Sequence, residues 1–87
     1  MENDRSVLTV QDYGHIEMRL KQLMDARHIN RNTLARRTNT RFEVIDKWYN
    51  GQVEKLDMDV LARICYVLDC SVSDILKETT ENAKHEV

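Results

Sequence analysis

Between residues 30 and 51 the chain carries two short helical periodicities separated by a single break, in a sequence that has no proline and only two glycines with which to make one. Leu34, Ala35 and Thr38 recur at helical spacing behind Asn30, a good N-cap residue, and the pattern then stops at Asn39. Asn tolerates the left-handed backbone that turns a helix end sharply, after which Val44, Ile45 and Trp48 restart the period until Asn50-Gly51 ends it. The expectation is two short helices at roughly 90–120° joined by a tight turn. Ala35 is small where the second helix must cross, and Leu34, Ile45 and Trp48 face inward.

The other elements follow from the same periodicity. Ile16, Leu20, Leu23 and Met24 predict a first helix over residues 15–27. Residues 52–56 read as a loop. Asp57 is a cap for a helix to Leu68 whose inward stripe is Met58, Leu61, Ile64, Cys65 and Leu68, and Ser73 is the expected cap of a last short helix holding Ile75 and Leu76. The run Val7-Leu8-Thr9-Val10 is β-prone, and a lone strand is marginal, so it needs a partner: another segment, the same segment of a second protomer, or packing alone. The sequence is therefore divided into an N-terminal arm (1–14) with an optional short strand, a helical domain (15–77) and a polar tail (78–87) that either continues the helix or is disordered. At 87 residues this is one domain, burying roughly 60–65% of the surface its unfolded chain exposes.

Leu34-Ala35, Asn39-Thr40, Ile45-Asp46-Lys47-Trp48 and Asn50-Gly51 together resemble the Cro/CI-type (XRE-like) helix-turn-helix transcriptional regulators, although that family usually has Gly and a β-branched residue where this chain has Asn39-Thr40. The likeness continues through residues 56–65, Leu68-Asp69-Cys70 and Ser73-Asp74-Ile75-Leu76, which look like the later helices of a small single-domain subgroup with a Leu-Asp-Cys signature. Five elements in the right order are far more specific than the short motif alone. The resemblance implies an all-α, compact five-helix lambda-repressor-like domain. It also implies a sequence-specific DNA-binding regulator, repressor-like, that inserts its third helix (about residues 41–50) into the major groove of an inverted-repeat operator as a homodimer.

By that resemblance Arg41, Phe42, Glu43 and Lys47 sit where family members face base edges. Arg41 or Lys47 could pair with guanine O6/N7, Glu43 could accept from cytosine N4, and Phe42 could touch a thymine methyl. Phe42 is equally well read as core packing, and Arg41 stands where the family commonly has a Ser or Thr cap, a role Thr40 could take. Asn30, Arg31 and Asn32 open the second helix, where backbone N–H groups suit a phosphate, though Asn30 also reads as a plain cap. Thr40, Tyr49, Asn50 and Lys55 complete the expected backbone contacts, with Asn50 also a common helix stop.

Charge fits this assignment by distribution rather than by total. The net charge is −2, yet residues 27–55 hold seven basic and three acidic groups, whereas both flanking segments are acidic. Arg27, Arg31, Arg36, Arg37, Arg41, Lys47 and Lys55 thus gather around the two-helix unit, as phosphate attraction requires, although solvated helix faces are ordinarily charged as well. Glu43 and Asp46 oppose that trend and would favour discrimination over affinity.

Other chemistry finds little footing. Cys65 and Cys70 lack Cys-x-x-Cys spacing, His15, His28 and His85 are scattered, and the thiols read as small hydrophobes rather than metal ligands. Neither a nucleophile motif nor a glycine-rich phosphate loop is present, so no enzyme activity, cofactor or small-molecule effector is expected. No apolar run approaches a membrane span and the N-terminus has no secretion-signal pattern, which leads to the expectation of a cytoplasmic protein, bacterial or phage-encoded by resemblance. The competing expectation is a protein-binding module on the same fold, an antirepressor or regulator-docking subunit with little DNA affinity.

Overall fold

The computed structural model describes Ser6, Val7 and residues 13–79. Strand β1 (His15–Met18) leads into α1 (Leu20–Ala26), α2 (Arg31–Thr38), α3 (Phe42–Tyr49), α4 (Met58–Leu68) and α5 (Val72–Ile75), and β2 (Leu76–Thr79) follows. The five-helix domain stands as expected, with a short two-stranded antiparallel sheet added to it. The β-prone run at residues 7–10 lies, apart from Val7, outside the described residues.

The first helix is shorter than its periodicity implied. Ile16 belongs to β1, opposite Glu78, with Glu17 opposite Lys77 and Met18 opposite Leu76. Four residues of alternating character satisfy a strand as well as a helix, and a distant partner decides between them. That partner is the segment expected to be the end of the last helix and the start of the polar tail. Leu76 leaves the helix with φ −116° and ψ 128°, and β2 runs to Thr79. Arg19 N–H donates to the Ile75 carbonyl at 2.7 Å, which carries the ladder one step beyond the strands and ties the start of α1 to the end of α5.

Caps set the remaining boundaries. Asn30 Oδ1 accepts from Thr33 N–H at 2.8 Å, and Asp57 Oδ1 accepts from Asp59 and Val60 N–H, so both expected caps are present. The cap of α5 is Ser71 rather than Ser73. Asp74 returns a carboxylate to the Ser71 N–H at 2.9 Å, a capping box that fixes the start two residues earlier. These bonds hold the Asp74 carboxyl below the usual carboxylate range.

One device ends each of the first four helices. His28, Asn39, Gly51 and Asp69 take positive φ, and the following residue donates its N–H to a carbonyl five positions back: Ile29 to Met24, Thr40 to Ala35, Gln52 to Lys47, Cys70 to Cys65. Each bond satisfies a carbonyl the helix leaves open and reverses the chain within about two residues.

The core gathers Leu20 and Met24 of α1, Leu34 and Ala35 of α2, Ile45 and Trp48 of α3, Val60, Leu61, Ile64 and Leu68 of α4 and Ile75 of α5. α2 packs on α3 and α4, and α1 on α3 and α5. Thr38 is the buried polar residue of the core, and its hydroxyl donates to the Leu34 carbonyl at 2.8 Å, which removes the cost of burying it. Met58, expected in the inward stripe of α4, is 72% exposed, and Val60 takes the core position. Cys65 and Cys70 are half-buried against the core, and burial beside Cys65 pushes the Cys70 thiol up to about 11.

Candidate nucleic-acid interface

α3 has eight residues and three distinct faces. Ile45 and Trp48, with half-buried Val44, point into the core. Phe42, Asp46 and Tyr49, spaced i, i+4, i+7, form a second stripe toward the start of α2. Glu43 and Lys47, also i, i+4, lie on the remaining exposed face with Arg41 at the helix entrance.

The second stripe is clasped by one residue. Arg31, at the first position of α2, pairs through Nη1 with the Asp46 carboxylate, and its guanidinium lies 4.8 Å from the Tyr49 ring centroid and 5.8 Å from that of Phe42. Tyr49 in turn donates its hydroxyl to Asp25 at 3.1 Å, and Asp25 accepts from Lys21 at 2.9 Å. That bond raises the Lys21 ammonium above its ordinary value and lowers the Asp25 carboxyl. A chain of polar contacts therefore runs from α1 through the end of α3 to the start of α2. Its members Asp25 and Lys21 had no signal in the sequence, because residues 24 apart meet only through the fold.

Of the expected base-contacting residues, Glu43 and Lys47 lie one turn apart on the exposed face of α3 and Arg41 is exposed at its entrance, and none has a side-chain hydrogen bond or ion pair among the described residues. Phe42 sits one stripe away. It is 40% exposed and packs on Arg31 instead of the core. Arg41 is the N-cap position of α3 and supplies no side-chain bond to the helix, and Thr40 does not take that role either. The Thr40 hydroxyl donates backward to the Thr38 carbonyl at 3.2 Å. The first N–H groups of α3 are thereby left without a side-chain cap.

The expected backbone-contacting residues divide in the same way. Asn30 caps α2, Arg31 is clasped, and Asn50 Nδ2 donates to the Asp46 carbonyl at 2.9 Å and to its carboxylate at 3.3 Å. Asn32, exposed on the first turn of α2, and Lys55, exposed in the loop after α3, keep unengaged side chains among the described residues. Beside the start of α2 lies a shallow depression of about 330 Å³ lined by Arg27, His28, Asn30, Thr33 and Arg37 among others. The turn between α2 and α3 is braced from α4. Arg63 Nη1 donates to the carbonyls of Thr38 and Asn39 at 3.2 and 3.0 Å, while its Nη2 pairs with Asp59 at 2.8 Å.

The described residues hold no cluster of metal-ligating side chains, and none of their helices is long and apolar enough to cross a membrane.

Known proteins share this fold. A model of the Cro/C1-type HTH DNA-binding domain matches residues 19–81. The fold is similar to a DNA-binding protein candidate from Bacteroides fragilis (TM-score 0.64, 14% identity, covering 72% of this chain and 100% of that one). It is also similar to the transcriptional regulator VanUg (0.62, 23%, 88% and 100%) and to a chain of the SinR/SinI protein complex (0.59, 20%, 78% and 61%). A search of curated protein sequences gives no match. With the family model spanning the helices from the entrance of α1 through β2, the two-helix unit at residues 30–51 at its centre, the chain belongs to the Cro/C1-type helix-turn-helix DNA-binding family.

Proposed function

We propose that the protein is a sequence-specific transcription regulator, repressor-like, that lays α3 in the major groove and binds an inverted repeat as a homodimer. The observation that carries this reading is the exposed face of α3. Glu43 and Lys47, with Arg41 at the entrance, belong to a helix whose other two faces are fixed by the core and by Arg31, yet their side chains have no partner among the described residues. Fixed backbone with unengaged polar ends is what direct readout of bases requires. Phe42, on the edge of that face, would meet a sugar or thymine methyl while keeping its contact with Arg31.

Phosphates would approach the start of α2 at Asn30, Arg31 and Asn32, and Thr40, Tyr49, Asn50 and Lys55 around the two ends of the recognition helix. Arg31 contributes there through its remaining donors, since Asp46 occupies one edge of a five-donor fork. The arm (1–14), helical domain (15–77) and tail (78–87), the Leu68-Asp69-Cys70 subgroup and a cytoplasmic location belong to the same proposal.

Selection of bound duplexes from a random library tests it, with Lys47→Ala beside the natural chain. An enriched palindrome that the variant loses at one symmetric position is the expected result. No enrichment at low salt from folded protein rejects the reading. A second reading, docking of another regulator, is favoured by one observation: a similar fold occurs in a complex of two proteins, SinR and SinI. It predicts binding that is insensitive to Lys47→Ala and to salt.

A further inference from the structure

We propose that β1 pairs antiparallel with β1 of a second copy of this chain, about a two-fold axis at Ile16, to form a four-stranded sheet that joins two helical domains. This deepens the homodimer in the proposed function and rests on that reading for its purpose, while its evidence lies in the sheet rather than in α3.

The backbone supplies the first argument. Arg19 N–H bonds to Ile75 across the same register that places Glu17 opposite Lys77 and His15 opposite Thr79. Bonding alternates along an antiparallel strand, so His15, Glu17 and Arg19 direct their backbone groups to β2, and Ile16 and Met18 direct theirs to the outer edge. Among the described residues the sheet has two strands and nothing pairs with that edge. Unpaired strand edges with apolar neighbours are templates for another strand.

Symmetry and charge then select one register. An isologous antiparallel pair must be centred on a residue facing its own twin. Centred on Glu17, two carboxylates oppose each other; centred on Met18, Ile16 would have to face Leu20, which is buried in α1. Centred on Ile16, each His15 faces Glu17 of the second copy on one side of the sheet. On the other side Ile16 meets its twin, and Gly14 faces Met18 with no side chain to obstruct it. Ile16, the Met18 N–H and the Gly14 carbonyl fall on the outward-bonding positions, which yields about four backbone hydrogen bonds, Gly14 itself turning off the strand at φ 90°.

The side chains agree. Ile16 is 63% exposed, an unusual state for an isoleucine beside an apolar groove of about 490 Å³ lined by Met18, Val53, Leu56 and Leu76. Pairing about Ile16 sets the grooves of both copies on one side of the sheet and joins them through the two isoleucines. β1 enters the helical domain at Met18, so antiparallel pairing places the two domains at opposite ends of the sheet.

Sedimentation equilibrium of the full chain without DNA is the test, with folding checked by circular dichroism. His15→Glu or Glu17→Lys alone should weaken the dimer about tenfold, since each change acts at both symmetric pairs. The double variant His15→Glu/Glu17→Lys should recover most of that loss. With a mild thiol oxidant, Ile16→Cys should form a covalent dimer and Glu17→Cys should not, the natural chain serving as control for Cys65 and Cys70. Twin Cα atoms at the axis stand about 5.5 Å apart, within disulfide reach, and the neighbours do not. A chain monomeric at all concentrations overturns the proposal, as does a dimer that ignores the charge changes and shows no cross-link at Ile16. An enriched palindrome from a chain that is monomeric without DNA would sink this interface and leave the proposed function standing. A β1 dimer without DNA enrichment would do the reverse.

Discussion

The two ends of α3 are built to opposite rules. At its C-terminal half, Asp46, Tyr49 and Asn50 are bonded to Arg31, Asp25 and the helix's own carbonyl, so this end is welded to α1 and α2. At its N-terminal end, Arg41 makes no capping bond and Glu43 has no ion pair among the described residues. The contrast teaches that polar residues on one short helix serve two purposes. Some fix the helix in place, and the remainder keep side chains unengaged among the described residues.

The largest effect should come from removing the anchor beneath both ends. Trp48→Ala, at a core position only 3% exposed, should cost about 3–5 kcal/mol in a denaturant titration, which for a domain this small approaches its whole stability. Next, Lys47→Ala and Arg41→Ala should each weaken the selected duplex by about 1–3 kcal/mol while leaving the melting temperature unchanged. A matching loss of stability would show that these two side chains are structural too.

Asn30→Ala should cost about 1 kcal/mol by stripping the cap of α2, detectable as a shift in denaturant midpoint. Asp46→Ala unclasps Arg31 across a half-exposed pair, so its stability cost should stay below about 1 kcal/mol. Its informative readout is orientation: if the clasp aims α3, discrimination between operators falls further than affinity. The smallest effect is in acid. Because Asp74 is held below its ordinary value, its contribution is complete above about pH 4 and disappears as pH falls through the depressed folded value. The stability gap between the natural chain and Asp74→Asn should therefore close as the pH is lowered, and a gap that widens instead would contradict the capping-box assignment.

The helices were legible where one residue type settles a local question. Asn30 and Asp57 announce caps, Asn39 announces a left-handed stop, and Ile45 with Trp48 announces the buried face. The sheet was not, because Ile16 and Met18 continue the period of Leu20 and only pairing with Leu76–Thr79, some sixty residues away, makes them a strand. The basic character of the two-helix unit was also visible. Its internal wiring was not: nothing local to Arg31 reveals that Phe42, Asp46 and Tyr49 converge on it.

Three of the four left-handed corners, at His28, Asn39 and Asp69, are made without glycine. A side chain at such a position strains the folded corner by about 1 kcal/mol, but it also narrows what the denatured chain can explore. The corners thus work as stiff joints even before folding. Replacing Asn39 with Gly would relax the folded turn and loosen the unfolded one together, so the angle between α2 and α3 is specified by a chain that gives up little freedom to reach it.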